Sequence, residues 1–352
     1  MKKTIFIIFF LFCFLFLGFY FFWQKTYIPL DSSSQKEVAF EIKKGQGAKE
    51  IALGLKEVGV ISSPLSFRLY VFFKGYSKKL QAGHYFLSPA LSLPEIVRKF
   101  VKGEIIKEKI TIIEGWNLRD IGWYLENKGI SQAEELFELV GFPSADYSKE
   151  EDLPQPKDFS QEFEFLKEKP KNISLEGYLF PDTYEIKKGE RLEDIVKKML
   201  KNFDKKLTPN LREEIKKQKK TVFEILTMAS LLEKEVRTLK DKKLVSGILW
   251  KRLKAGIPLQ VDATISYITG KKTTKISIEE TKIDSPYNTY KYPGLPLGPI
   301  CNPGIESIKA ALYPEASQYW YYLSTPEGKT IFSKTLKEHN LNRIKHLKNQ
   351  DF

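Results

Sequence analysis

The side chains in this sequence best suited to chemistry are a few carboxylates and amide- or hydroxyl-bearing residues set among apolar neighbours. The stretch 228-MASLLEKEV-236 carries the sharpest case. Val222, Leu226, Ala229, Leu232 and Val236 recur at helical spacing and form one stripe, with Glu233 at its edge. Glu235 then points about 160° away from Glu233. Without a fixed cation, loss of hydration would favour the neutral form of Glu233, the state a general acid needs. The same residues equally allow a structural Glu held by an ion pair with Lys220 or Arg237.

Three further stretches could line a site. The Pro- and Gly-rich loop 284-DSPYNTYKYPGLPLGPICNPG-304 presents Tyr287, Asn288, Thr289, Tyr290 and Asn302 in a conformationally restricted segment. Aromatic faces and fixed hydrogen-bonding groups suit a sugar ligand, although any long structured loop would look the same. In 259-LQVDATISY-267, Gln260, Asp262 and Thr264 alternate, so a short β-branched strand would present them on one side, or simply expose them at an edge. The stretch 175-LEGYLFPDTYEI-186 sets Glu176, Asp182 and Thr183 among aromatics; Tyr178 and Phe180 read as core.

Metal chemistry is not expected. There are three histidines with no HExxH or HxH, and two cysteines, Cys13 and Cys301, with no CxxC. No cofactor is expected either.

The elements that must position these groups show a weak internal repeat. In 40-FEIKKGQGAKEIALGLKEVGVI-61 and 110-ITIIEGWNLRDIGWYLENKGIS-131, a short strand, a Gly turn and an amphipathic helix follow at matched spacing. Gly45 aligns with Gly115, Ile51 with Ile121 and Leu55 with Leu125. The segment 184-YEIKKGERLEDIVKKML-200 reads as a third copy and 85–103 as a looser fourth. A strand-to-helix corner of this kind often needs positive φ, hence the shared Gly. The first repeat region resembles a LysM domain, a βααβ module that binds N-acetylglucosamine-containing glycans.

Lys2 and Lys3 precede an unbroken apolar run from Ile5 to Trp23, long enough as a helix to cross a hydrocarbon core. The bulky flank Phe21-Phe22-Trp23 lacks the small residues of a signal-peptidase site, so an uncleaved anchor with its N-terminus inside is expected. Net charge is +13 and the pI about 9.3; this reads first as a solvated, Lys-rich surface, and it also suits anionic partners such as lipid headgroups or an anionic polymer. No tight Arg/Lys block interleaved with aromatics appears, so nucleic acid is not expected as a partner.

Taken together, EGYLFPDTY (176–184), MASLLEKE (228–235), LQVDATISY (259–267), SPYNTY (285–290), GLPLGPICNPG (294–304) and FSKTLKEHN (332–340) resemble, in order and spacing, the motif series of the MltG, or YceG-like, family of endolytic murein transglycosylases. The one mild departure is Leu231-Leu232 where Ile is common. The resemblance implies an enzyme, a peptidoglycan lyase that cuts the β-1,4 bond between N-acetylmuramic acid and N-acetylglucosamine and leaves a 1,6-anhydro-muramyl end. It implies Glu233 as catalytic acid then base, Glu235 in support, and glycan strands, the cytoplasmic membrane and peptidoglycan synthases (penicillin-binding proteins) as partners. A hydrolytic muramidase or a non-catalytic wall-binding scaffold would fit the residues as well.

The expected architecture is α+β. It runs as a cytoplasmic tail (1–4), a transmembrane anchor (5–23), a linker (24–37), a LysM-like extracytoplasmic region (38–142), a connecting segment (143–172) and a catalytic domain (173–352) whose helix-borne Glu is Glu233.

Overall fold

The computed structural model describes residues 2–271, 276–325 and 327–347. Met1 in the expected tail and Pro326 in the expected C-terminal turn lie outside the described residues. The protein is mixed α+β and divides into two compact units. One runs from the N-terminus through Lys109 and includes Glu185–Glu190; the other comprises Ile110–Tyr184 and Arg191 onward.

The first unit begins with α1 (Lys2–Tyr27). Its segment Ile5–Tyr27 has a mean hydropathy of 2.8 and is unburied, making it a helix long and apolar enough to cross a membrane. Then follow β1 (Val38–Ile42), α2 (Ala48–Glu57), α3 (Pro64–Phe73), β2 (Gly83–Leu87) and α4 (Leu93–Lys102). β1 and β2 pair antiparallel, with Phe40 opposite Tyr85. Strand–helix–helix–strand is therefore the order of this part. Its core joins Phe40 and Ile42 to Ile51 and Leu55 of α2, Phe67 and Val71 of α3, and Phe100 of α4. Local chemistry starts the helices: Glu50 accepts the Gly47 N–H at 2.6 Å and Glu95 accepts the Ser92 N–H at 2.8 Å, capping otherwise orphan donors.

β3 (Lys107–Thr111) pairs with β4 (Thr183–Lys187), and the chain passes between units within these strands. Between them lie α5 (Leu118–Asn127), α6 (Ala133–Val140) and a largely irregular segment with one 3₁₀ turn, Glu164–Glu168. After β4 come α7 (Leu192–Lys206), α8 (Pro209–Lys217), α9 (Val222–Glu235), α10 (Leu239–Lys254), α11 (Asp262–Thr269) and α12 (Ile305–Leu312). The hairpin β5 (Tyr321–Ser324) and β6 (Thr330–Ser333) and then α13 (Leu336–Leu347) end the described chain.

The repeat is visible as structure. β1, β3 and β4 each run into a turn glycine and then a helix; Gly45, Gly115 and Gly189 have φ of 90°, 82° and 74°. The second copy, 110–131, lies in the second unit with α7–α13.

One expectation is corrected. The stretch 259–267 is not a strand: Asp262 opens α11, which closes at Gly270 with φ of 70°. Its β-branched residues are overridden by burial, since Thr264, Ile265 and Tyr267 are all enclosed. Its entry is pinned from outside, with Thr289 accepting the Gln260 N–H on its carbonyl (3.1 Å) and the Val261 N–H on Oγ1 (3.0 Å). Gln260, Asp262 and Thr264 consequently do not share a strand face.

Candidate active site

The site is built on the C-terminal end of α9. Thr221 and Glu224 form a capping box at its start, and Val222, Ile225, Leu226, Met228, Ala229, Leu231 and Leu232 are buried. α12, α10, α11 and α8 pack around it. The buried hydroxyls of Thr227 and Ser230 donate back to Phe223 O and Thr227 O at 2.8 Å each, so they bring no unsatisfied polar group into the core. Glu233 and Glu235 fall in the last turn. A negative charge there opposes the helix dipole, so each carboxyl needs outside partners.

Glu233 has three. Lys242 Nζ of α10 donates to Oε1 at 3.1 Å, and the two side chains are only 5% and 10% exposed. The Gly304 N–H donates to Oε2 at 2.9 Å and the Ser307 hydroxyl to the same oxygen at 2.6 Å. Gly304 and Ser307 belong to the first turn of α12, so the carboxyl rests on the positive end of that helix. A carboxylate has about four acceptor positions, and three are filled. The premise that Glu233 lacks a fixed cation therefore fails. The cation is neither Lys220, whose Nζ sits 3.7 Å over the Trp250 ring, nor Arg237, but Lys242.

Glu114, an exposed residue, stands beside this group. Its carboxyl fits only because residue 304 has no side chain: a Cβ there would lie 2.1 Å from Glu114 Oε1. Loss of hydration, and after it the charge of Glu233, holds the Glu114 carboxyl above its ordinary range. The neighbouring Gly115 is bound down by its N–H to Asn302 O (2.9 Å) and by Lys234 Nζ to its carbonyl (3.1 Å). A Cβ on Gly115 would meet Glu233 Cγ at 3.5 Å. The turn of the second repeat copy thus lies against the last turn of α9.

Glu235 faces a second cluster. Tyr322 donates to its Oε2 at 3.0 Å. Burial, and then the charge of Asp262, pushes Glu235 up to about 7. Asp262 is exposed and accepts from Tyr290. Gln260, with φ of 55°, accepts from Arg252 at 2.9 Å.

Apart from the exposed Thr183 and the half-buried Asp182, which accepts from Asn202 at 3.0 Å, the remaining sequence-derived residues are internal. Glu176 is 1% exposed and accepts from the Leu118 N–H, the Tyr267 hydroxyl and Asn302 Nδ2, each at 3.1 Å. Burial pushes it up to about 8. Asn302 also accepts the Leu179 N–H at 2.9 Å and donates to Trp116 O at 3.0 Å. Asn288 binds Thr281 O and Ile283 O, Thr289 bonds to Thr264, and Tyr287 packs on Tyr267 with ring centroids 5.1 Å apart. These groups clamp the 284–304 loop to the start of α5 and to α11, and the Ile300 N–H, donating to Ser230 Oγ at 3.0 Å, ties it to α9. Among the described residues no group of three or more His, Cys, Asp or Glu could hold a metal ion.

Sequence reasoning missed Lys242, Ser307, Gly304 and Glu114. Only Glu114 left a readable signal. At the position before the repeat's turn glycine, the first and third copies have Lys44 and Lys188, and the second has Glu114.

A carboxyl on a buried helix end, paired with a lysine and flanked by a second carboxyl, is an arrangement able to do acid–base work. The chain belongs to the YceG-like family, whose model matches residues 40–345. It is 35% identical over 336 residues to the endolytic murein transglycosylase of Bacillus subtilis (strain 168), covering 92% of this chain and 88% of that one. It is 32% identical over 338 residues to the endolytic murein transglycosylase of Streptococcus pneumoniae (strain D39), covering 91% of this chain and 60% of that one. A crystal structure of a protein of Listeria monocytogenes described as YceG-like superposes with a TM-score of 0.57 at 34% identity, over 88% of this chain and 100% of that one.

Proposed function

We propose that this protein is a membrane-anchored endolytic peptidoglycan lytic transglycosylase with Glu233 as its acid and then its base. The observation that carries the reading is the setting of Glu233, held by Lys242, Gly304 and Ser307 with one acceptor position left open. In the proposed reaction the Glu233 carboxyl gives its proton to the glycosidic oxygen between N-acetylmuramic acid and N-acetylglucosamine. The carboxylate then takes the proton of the muramyl C6 hydroxyl as that oxygen closes on C1, so no water enters. Lys242 and the start of α12 stabilise the carboxylate between the two transfers. Glu114 stands beside Glu233, its carboxyl held above the ordinary range by loss of hydration and then by the Glu233 charge.

On this reading Asp262, Tyr290, Gln260 and Glu235 contact the glycan, while Glu176, Asn302, Tyr287, Asn288, Thr289 and Thr264 keep the loops in place. α1 crosses the cytoplasmic membrane with its N-terminus inside. The β1–α2–α3–β2 part acts as a LysM-like glycan module, and the enzyme ends strand growth beside peptidoglycan synthases.

Purified murein sacculi digested with the wild type should yield 1,6-anhydro-muropeptides by mass spectrometry. Glu233→Gln should yield none while still unfolding in a cooperative thermal transition, at a lower temperature because Lys242 is left enclosed without its partner; normal cleavage by that variant would sink the assignment. The nearness of Glu114 to Glu233 favours one competing reading, a two-carboxylate hydrolase. That enzyme would leave reducing ends instead of anhydro ends, and the same spectra separate the two.

A further inference from the structure

α3 is apolar on two opposite faces. Phe67 and Val71 are buried in the first unit's core. Leu65, Phe72 and Phe73 point the other way and are 61%, 70% and 72% exposed, with Leu69 between them on the same side. A helix apolar all round is normally buried, and three large side chains on one exposed face mark an interaction surface.

The neighbours of this face say what covers it. α1 packs on α3 and α4, and its C-terminal end delivers a ladder of rings: Trp23 to Tyr27 at 6.0 Å, then Tyr27 to Tyr70 of α3 at 6.4 Å. Tyr27, the last residue of the apolar span, and Ile28 and Leu30 just past it are also exposed. Cations surround the face. Lys74 lies over the Tyr70 ring and Lys79 over the Tyr76 ring, 6.0 and 5.8 Å from the centroids. Between α3 and α4 an open cleft of about 420 Å³ is lined by Tyr70, Tyr76, Arg98 and Lys102, and also by Glu95, whose carboxylate accepts from the Ser92 N–H and hydroxyl. Apolar side chains flanked by aromatics and by Lys and Arg, continuous with a hydrophobic span, match the boundary between acyl chains and anionic headgroups.

We infer that α3 is an interfacial helix: Leu65, Phe72 and Phe73 enter the leaflet from which α1 emerges, and anionic lipid headgroups sit in the Tyr70–Arg98–Lys102 cleft. The first unit is then held against the bilayer instead of swinging on a tether. This rests on α1 spanning the membrane, as proposed above, and needs no catalytic activity.

The test uses the full chain with Cys13→Ala, reconstituted in phosphatidylglycerol/phosphatidylcholine vesicles. Cys301 is buried and out of reach of a label. Spin labels are placed singly at Phe14→Cys, Phe72→Cys and Phe73→Cys, and collisions with oxygen and with a water-soluble nickel chelate are measured. Labels at 72 and 73 should collide mainly with oxygen, as the label at 14 does. Introducing Arg98→Glu with Lys102→Glu should move them toward nickel access. Oxygen access at 14 with nickel access at 72 and 73 overturns the inference while the anchor stands. Nickel access at 14 removes the anchor and this inference together. Spin–spin broadening at 72 or 73 would mean that a second copy covers the face, which also overturns it. Unchanged collisions in the Arg98/Lys102 variant overturn the headgroup site.

Discussion

Gly304 and Glu114 fit together only because one of them has no side chain. The Gly304 amide donates to Glu233 at 2.9 Å, while the space its Cβ would fill is taken by the Glu114 carboxyl. Both carboxyls therefore address one residue at the start of α12, from its amide and from its Cα.

Gly304→Ala should cost activity more than stability. Glu114 is exposed and its carboxyl can swing away, so the fold should lose no more than about 1 kcal/mol. Moving Glu114 or the amide should cut the initial rate of anhydro-muropeptide release at least about tenfold. Combining Gly304→Ala with Glu114→Ala relieves the clash. If that double variant is no better off in melting temperature than Gly304→Ala alone, the steric account is wrong.

Lys242→Met should be strongly destabilising, by about 3 kcal/mol in denaturant titrations, because it strands the enclosed Glu233 charge. Adding Glu233→Gln removes the stranded charge. The double variant should recover a large part of the loss, and strict additivity of the two single effects would show that the pair is not coupled.

Folding stability should fall as pH rises through the neutral range. Glu176 is pushed up to about 8 and Glu235 to about 7, against an ordinary Glu value of 4.5. Between about pH 4.5 and 8 the folded state holds protons that the unfolded chain has released, so raising the pH favours unfolding. One such group contributes a slope of roughly 1.4 kcal/mol per pH unit. Glu176→Gln should flatten the decline of melting temperature between pH 5 and 8, whatever it does at pH 5. An unchanged slope would mean that Glu176 does not bind the proton.

Much of the scaffold was legible in sequence because it follows from neighbours in the chain. The apolar run of α1, the periodicity of α9 and the recurring turn glycines act over a few residues, and all of them are present. The stretch 259–267 was misjudged for a related reason. Its β-branched alternation is a short-range preference, and the Thr289 contacts and the packing of Ile265 outweigh it. The loop residues were recognised as important, but not that Asn302, Asn288 and Thr289 would spend their polar atoms inside the protein. A hydrogen-bonding side chain looks the same in sequence whether it meets a ligand or a backbone carbonyl.

By itself, then, the sequence determined that Glu233 sits at the end of an enclosed helix, because helical periodicity depends only on nearby residues. What that carboxyl meets was decided by the tertiary structure. Lys242, Ser307, Gly304 and Glu114 come from three separate segments, and each reads locally as an ordinary lysine, helix start or turn. Only folding takes their charges and donors out of water and aims them at one oxygen pair, and that desolvated proximity makes a carboxyl into a candidate catalyst.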